Sequence, residues 1–83
     1  MPRFEARPNF GRRYRKLAEL ERGAVDRALR LLAADPRDPR LRTHKLEGGA
    51  RWACSYAYDG RIVFTWEAEV ITLLDVGTHD DVY

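Results

Sequence analysis

The sequence predicts an α+β fold in which two N-terminal helices pack on a mainly antiparallel sheet. Apolar residues in the N-terminal part recur at helical spacing, whereas residues 52–76 contain runs that alternate with a period of two. Asp59-Gly60 stands between two of these runs and is a strong hairpin signal. The predicted order is β-α-α-β-β-β, and the helices should cover one face of the sheet and leave the other partly open.

The N-terminal part is predicted to hold a short strand over residues 2–7 and a helix that opens at Pro8-Asn9. Basic residues surround the apolar positions of this helix, so it should be amphipathic. Gly23 is expected to break or bend the helical pattern. The apolar side chains at helical spacing are Phe10, Tyr14 and Leu17, with Leu20 as a further candidate.

A second helix should follow Gly23, because its apolar residues fall at i, i+3, i+4 and i+7. It should end before Asp35-Pro36, since proline disfavours helical geometry at the preceding residue. Residues 36–40 form a polar, proline-bearing connection, and residues 41–49 should approach the sheet as loop or short strand. The apolar stripe of this helix consists of Val25, Ala28, Leu29 and Leu32.

Three strands should follow as a meander. The first alternates aromatic and thiol side chains with small ones over residues 52–58, and the second covers residues 61–66 after the hairpin. Residues 67–69 then turn into a third strand over residues 70–76, after which Gly77-Thr78 should form a turn. In the second strand, one face carries Ile62, Phe64 and Trp66 and the other carries Arg61, Val63 and Thr65.

Length and composition favour one small folded domain over residues 1–83. Apolar residues make up 45% and aromatics 11%, enough for a core. No apolar run approaches the ~20 residues that a membrane span needs, so no membrane partner is expected. The N-terminus has no apolar segment typical of a signal peptide, which favours the cytoplasm.

The charge distribution is lopsided although the net charge is only +2. Residues 1–51 carry fourteen Lys and Arg against seven acids, and residues 52–83 carry one Arg against six acids. Arginine pairs with phosphate through a planar fork, so the basic part favours a nucleic-acid partner. A solvated helical surface would have the same composition, and charge alone does not separate the two.

Metal and cofactor chemistry find little support in the sequence. The single cysteine, Cys54, excludes an internal disulfide and a thiolate zinc site, and it fits a buried strand residue better than a nucleophile. Gly48-Gly49 is not followed by the Lys-Ser/Thr pair of a phosphate-binding loop. The two histidines have no third ligand at a recognisable spacing. We therefore expect no metal and no cofactor.

Four residues are candidates for chemistry, and each also has a structural interpretation. Arg61 is either a strand-end charge or a group that stabilises a phosphorane. His44 and His79 are either loop residues or general acids and bases, since imidazole titrates near neutral pH. Tyr83 either packs on the sheet, stacks on a base, or exchanges a proton with a ribose hydroxyl.

Three segments, in order, resemble motifs of bacterial type II toxins of the RelE/ParE superfamily. Residues 43–48 (THKLEG) are similar to its H-x-L-x-G entry to the sheet, and residues 58–64 (YDGRIVF) to its G-D-Y-R-I-I-Y hairpin strand. Residues 74–83 (LDVGTHDDVY) are similar to the closing V-G-T-H-x-x-x-F/Y of YafQ-like members. The resemblance covers nearly the whole chain and implies a RelE-like toxin domain with the microbial RNase fold.

The resemblance implies a metal-independent mRNA interferase that cuts mRNA in the ribosomal A site through attack by the ribose 2′-OH. It implies that His44 is a base or phosphate contact, Arg61 binds the scissile phosphate, His79 is the general acid, and Tyr83 stacks on or activates the nucleotide. Either His44 or Tyr83 could be the base. We also expect RNA or phosphate contacts from Arg42, Lys45 and Arg51.

The expected partners are a cognate antitoxin, the ribosome with its mRNA, and operator DNA bound by the toxin–antitoxin complex. Two alternatives remain on the same fold. A ParE-like inhibitor of DNA gyrase would need neither histidine. A catalytically inactive relic, acting through antitoxin binding, is suggested by Asp75, which stands where YafQ-like members tend to have a basic residue.

Overall fold

The computed structural model of the protein describes residues 2–83. Its elements are β1 (Arg3–Ala6), α1 (Pro8–Lys16), α2 (Glu19–Ala34), a 3-10 turn (Pro39–Leu41), β2 (His44–Lys45), β3 (Arg51–Ala57), β4 (Gly60–Glu67), β5 (Val70–Thr78) and α3 (His79–Val82). The strands form one sheet in the order β1-β5-β4-β3-β2, with β1 parallel to β5 and the other neighbours antiparallel. Because α1 and α2 pack on this sheet through one shared core, the predicted α+β class is confirmed.

The boundary between α1 and α2 lies at Leu17 and Ala18, not at Gly23. Both residues are extended, with ψ of 150° and 157°, and the Arg22 guanidinium donates to the Leu17 carbonyl, one of those that a helix end leaves open. Gly23 lies inside α2 with open space where a Cβ would stand. The expected break at Gly23 is therefore wrong, because packing of α2 outweighs the low helix propensity of one glycine. Leu20 is also no part of the apolar stripe, since it is 91% exposed.

The end of α2 at Ala34 agrees with the prediction that the helix stops before Asp35-Pro36. The predicted turn at Gly77-Thr78 is wrong, because both residues continue β5. They pair with Arg61 and Gly60, so the strand stays in the ladder up to the start of α3. One helical turn follows at the C-terminal end of the described chain.

The sheet has one face toward the helices and one face away from them. On the helix side, Cys54, Ile62, Phe64 and Val76 are fully buried and belong to one core with Val25 and Leu32 of α2. The other face, here called the open face, carries Ala53 and Ser55 of β3 beside Arg61 and Val63 of β4. On this face Ala53 and Val63 are buried, whereas Ser55 and Arg61 are half-buried. The predicted alternation along β4 is confirmed, so Arg61 is directed away from the core.

A bulge in β5 adjusts the register near the candidate residues. Val63 pairs with Asp75, whereas its neighbour Phe64 pairs with Leu73, so Leu74 is the extra residue. The bulge allows Leu73 and Val76 both to face the core although they are three positions apart.

None of the helices within residues 2–83 is long and apolar enough to cross a membrane.

Candidate functional site

The β3–β4 turn, the end of β5 and α3 meet at one end of the sheet. The His79 amide donates to the Asp59 carbonyl at 2.8 Å, which ties the first residue of α3 to the turn. Arg61 pairs with Gly77 directly beside this contact. We call Asp59, Arg61, His79 and Tyr83 the turn-end cluster, and it brings together three of the four predicted catalytic residues.

Reciprocal capping fixes the start of α3. The Thr78 hydroxyl accepts from the Asp81 amide at 3.3 Å, and the Asp81 carboxylate accepts from the Thr78 amide at 3.2 Å. Hydrogen bonding to Thr78, aided by the Arg13 charge 3.9 Å away, holds the pKa of Asp81 below its usual value. The carboxylate therefore remains charged and capped at neutral pH.

His79 and Tyr83 lie one helical turn apart and contact each other. Their ring centroids are 4.5 Å apart in an edge-to-face arrangement, and Tyr83 is 48% exposed. Partial burial raises the pKa of the Tyr83 phenol, while the nearby Arg61 charge acts in the opposite direction. The phenol is thus a hydrogen-bond donor at neutral pH, which favours stacking or proton donation over a role as base.

The Arg61 guanidinium folds back over the β3–β4 turn. Its Nη1 donates to the carbonyls of Gly60 at 2.9 Å, Tyr58 at 3.1 Å and Ala57 at 3.5 Å. Arginine has five N–H donors, and within residues 2–83 only those on Nη1 are engaged. The remaining donors, on Nε and Nη2, are available to an anion next to the turn.

His44 lies on the edge strand β2, apart from the turn-end cluster. It pairs with Ala53 and therefore shares the open face with Ser55 and Arg61. Two strand spacings and a two-residue offset put the Cα atoms of His44 and Arg61 roughly 12 Å apart. Its Nδ1 lies 3.0 Å from the Arg42 carbonyl. A carbonyl only accepts, so Nδ1 carries the proton and the neutral ring offers its lone pair at Nε2.

On the open face, His44 and Arg61 flank two positions of β3 that carry small side chains, Ala53 and Ser55. Ala53 is fully buried and Ser55 is half-buried, so the accessible part of this strip lies over Ser55. We call this strip the β3 trough. A phosphate seated over β3 can meet an imidazole, His44, on one side and a charge-stabilising guanidinium, Arg61, on the other.

The three predicted RNA-binding residues lie in different places. Lys45 pairs with Trp52 and so faces the helix side, opposite to His44. Arg51 is exposed on the open face but pairs with Thr65, toward the far end of β3 from the turn. Arg42 adopts a left-handed conformation with φ of 52° after the 3-10 turn. Of the three, only Arg42 is near the trough.

Asp75 is less disruptive than its position in the motif suggests. Its carboxylate accepts from the Val76 amide at 2.9 Å and lies 3.5 Å from the Arg13 Nε of α1. The negative charge is therefore compensated from the helix layer. An acid here does not leave an unpaired charge beside Arg61.

Cys54 is fully buried on the helix side, as predicted. Burial raises the pKa of its thiol to about 12, so it is not a nucleophile at neutral pH. Within residues 2–83, no three His, Cys, Asp or Glu side chains come together in a way that could hold a metal ion.

The sequence interpretation missed a groove of about 720 Å³ between α2 and the outer edge of β3. Arginines from three separate segments line it, together with the exposed Tyr58. Arg27 and Arg40 belong to no recognised motif, and only the tertiary fold brings Arg27 to Arg40, Arg42 and Arg61. We call this feature the arginine groove.

These features define a small α+β protein whose sheet carries imidazole, phenol and guanidinium groups at one end. No family model matches the chain, and no curated protein matches it. Solved structures do match. A copper-bound mutant toxin from Helicobacter pylori superposes with a TM-score of 0.79 at 22% identity, covering 100% of both chains.

Two toxin–antitoxin complexes from E. coli are also similar. The DinJ–YafQ complex matches with a TM-score of 0.83 at 12% identity, over 99% of this chain and 97% of that one. The intact RelBE complex matches with a TM-score of 0.75 at 20% identity, over 94% and 96%. The chain therefore has the fold of RelE- and YafQ-type toxins, as the resemblance of its motifs implied.

Proposed function

We propose that the protein is the toxin of a type II toxin–antitoxin system and a metal-independent endoribonuclease that cuts mRNA in the ribosomal A site. The observation that carries the proposal is the convergence of Arg61, His79 and Tyr83 at one end of the sheet. Fold alone would not suffice, because one fold can serve unrelated activities. The side chains at this end are those that phosphodiester cleavage uses.

In the proposed reaction, the scissile phosphate sits over the β3 trough. His44 takes the proton of the ribose 2′-OH at its Nε2, and the 2′ oxygen forms a bond to phosphorus. The bond from phosphorus to the 5′ oxygen breaks, and His79 gives that oxygen its proton. The products are a 2′,3′-cyclic phosphate and a 5′-OH end, so no metal or external nucleophile is required.

Arg61 and Tyr83 complete the proposed site. The free donors of Arg61 stabilise the charge that grows on the non-bridging oxygens, which is usually the largest single contribution to catalysis. The protonated Tyr83 phenol, edge-on to His79, provides a surface for the nucleobase next to the cleaved bond. Of the two candidates for the base, the raised pKa of Tyr83 favours His44.

We further propose a cognate antitoxin as the protein partner. The E. coli neighbours are complexes of YafQ with DinJ and of RelE with RelB. An enzyme that cuts mRNA in the A site must also contact the ribosome, and the cytoplasm is where it would do so. Binding of the toxin–antitoxin complex to operator DNA remains a prediction from the resemblance.

Primer extension on a defined mRNA, with and without ribosomes, tests the activity. Wild-type protein should cut within codons only when ribosomes are present. His79→Ala and Arg61→Ala should each reduce the cleavage rate by about 10²–10⁴-fold. Arg3→Ala is the matched control, because Arg3 is an exposed arginine on the edge strand β1, outside the turn-end cluster.

Undiminished cleavage by both variants would contradict the proposed site. Cleavage without ribosomes would point to a free ribonuclease on the same fold. No cleavage together with growth inhibition that survives both substitutions would favour a gyrase inhibitor instead. Absence of both activities would indicate a relic that acts through its antitoxin.

A further inference from the structure

The outer edge of β3 is only partly covered by another strand. β2 pairs with Trp52 and Ala53, and within residues 2–83 no strand pairs with this edge beyond Ala53. Exposed edges invite unwanted strand pairing and are commonly protected by charge. Here the arginine groove follows the uncovered edge from the 3-10 turn to the β3–β4 turn.

The groove is basic, with four arginines against the one carboxylate of Asp59 in its lining, and its cations come from separate elements. Arg27 belongs to α2, Arg40 and Arg42 to the 3-10 turn and its end, and Arg61 to β4. Asp38 neutralises Arg40 through contacts of 3.0 and 2.7 Å. Within residues 2–83, the side chains of Arg27 and Arg42 have no carboxylate partner at ion-pair distance. Two guanidinium forks are therefore open toward the groove.

The shape and the aromatic component narrow the class of ligand. Tyr58 lies on the groove wall and is 90% exposed. Exposure of its apolar ring to water is unfavourable, so a partner that covers the ring would bind favourably. Ala28 and Leu31 of α2 supply an apolar part of the lining. Arginines beside an exposed aromatic ring are typical of sites that bind single-stranded nucleic acids. The arginines bind the backbone phosphates, and the ring stacks on an unpaired base.

The groove is continuous with the candidate site. Ser55 and Arg61 line the groove and also form the floor and wall of the β3 trough. A volume of about 720 Å³ lies within the ~300–1,000 Å³ range of sites that enclose small molecules. A chain that passes over the trough thus has an adjoining basic channel in which its next nucleotides can lie.

We propose that the arginine groove is the RNA path that leads away from the scissile phosphate. Arg27 and Arg42 bind backbone phosphates, and Tyr58 stacks on an unpaired base. The inference rests on the proposed function and deepens it, since it assigns the substrate contacts outside the reacting atoms. Arg27 and Tyr58 thereby become specificity and affinity residues to which the resemblance assigns no role.

Binding of a short single-stranded RNA with 2′-O-methyl riboses, which cannot be cleaved, tests this path separately from catalysis. Fluorescence anisotropy over a series of salt concentrations measures affinity and its salt slope. Arg27→Gln with Arg42→Gln should lower the magnitude of the log–log slope by about 0.7 per lost phosphate contact. Tyr58→Ala should weaken binding by about 5- to 150-fold, from stacking energies of ~1–3 kcal/mol.

The control pair is Arg30→Gln with Arg12→Gln, which removes two exposed helical arginines that do not line the groove. It should leave both affinity and slope close to wild type. His79→Ala should bind the RNA normally while failing to cut mRNA on ribosomes, so loss of catalysis and loss of the path have different signatures. Thermal denaturation of each variant confirms that it is folded.

Equal weakening by the groove pair and the control pair would overturn the proposal and indicate non-specific attraction. Unchanged RNA affinity in the groove pair would also overturn it. If that pair then lost binding to a poly-glutamate peptide, the groove would take an acidic protein segment instead. Wild-type protein that neither bound nor cut RNA would contradict the proposed function itself.

Discussion

The two regions that carry predicted catalytic groups are restrained very differently. The turn-end cluster is held by the bond between the Asp59 carbonyl and the His79 amide and by the folded-back Arg61. His44 instead lies on a two-residue edge strand with two pairings. In the proposed reaction, the phosphate and the leaving group would therefore meet a fixed surface, and the base would approach from a lightly restrained edge.

The largest expected effect is the loss of cleavage on replacing either histidine, and the pH dependence of the remaining rate distinguishes the role of His44 from that of His79. A general base must be deprotonated, so the rate should rise with pH on the acid limb through His44. A general acid must be protonated, so the rate should fall on the alkaline limb through His79. His44→Ala and His79→Ala should each reduce the rate by about 10²–10⁴-fold and remove its own limb from the profile of single-turnover cleavage.

The two limbs also provide the control for this prediction. A His44→Ala profile that kept its acid limb would mean that another group is the base, and Tyr83→Phe would then be the decisive variant. Loss of both limbs in either variant would mean that the two imidazoles share one role. Only the expected pattern assigns one proton transfer to each region.

The next largest effect is expected for Gly60→Ala, which should distort the β3–β4 turn that supports the turn-end cluster. A Cβ at this position would stand 2.4 Å from atoms of the Tyr56 ring. The ring cannot swing aside freely, because its hydroxyl donates to Glu21 at 2.5 Å. Overpacking of this kind costs ~1–3 kcal/mol. We expect denaturant unfolding to show this decrease in the free energy of unfolding. The cleavage rate should also fall, because the turn holds His79 in place.

Gly49→Ala is the matched control for the turn. Nothing lies within 4 Å of the Cβ that this change would add, and the residue precedes β3 outside the cluster. Its stability and cleavage should remain close to wild type. A Gly60→Ala protein as stable and active as Gly49→Ala would show that the turn is not a rigid support.

Much of the fold could be predicted because its signals are local. Period-two alternation along β4 and the Asp59-Gly60 hairpin depend on neighbouring residues alone. The break at Leu17 and Ala18 could not be predicted, since it depends on how α2 packs and on a hydrogen bond from Arg22. A glycine in a helix costs too little to mark a boundary when the helix face is buried.

In the candidate site too, the features that depend on neighbouring residues could be predicted and those that depend on tertiary packing could not. Arg61 could be placed at the end of the sheet through the hairpin and meander. The contact of His79 with Tyr83 could not be predicted, because it depends on α3, which was not predicted from the sequence. The arginine groove could not be predicted, because Arg27 and Arg42 meet only when α2 lies beside β3. His44 and Lys45 lie on opposite faces of the sheet because both belong to β2. A strand of two residues has no recognisable alternation, so this could not be predicted from the sequence.

A smaller effect compares the acid sensitivity of two capping carboxylates, Asp38 at the 3-10 turn that precedes the His44 strand and Asp81 at the start of α3. Hydrogen bonds from Arg40, aided by its charge, lower the pKa of Asp38 from 3.8 to about 2, and hydrogen bonds from Thr78 lower that of Asp81. A carboxyl with a depressed pKa contributes stability above its unfolded pKa, and loses it as pH falls through the folded one. Wild-type Tm should therefore fall more steeply between about pH 4 and 2 than that of Asp38→Asn.

Asp81→Asn tests the other region under the same conditions. It should also flatten the acid limb of the Tm curve, but by less, since this carboxylate is exposed at the end of the chain described. At neutral pH only Asp81→Asn should slow cleavage, because it loosens the cap of α3. Equal effects of both substitutions on cleavage would remove the proposed difference between the regions.

The smallest expected effect, Gly23→Ala, distinguishes stability from positioning. Gly23 lies inside α2 with free space around it, so alanine should stabilise the helix by about 0.5–1 kcal/mol. In the Gly60→Ala background, the second change should recover part of the unfolding free energy but none of the cleavage rate. Recovery of both would mean that Gly60→Ala acts through global stability, whereas separation of the two would locate its effect in the geometry of the turn.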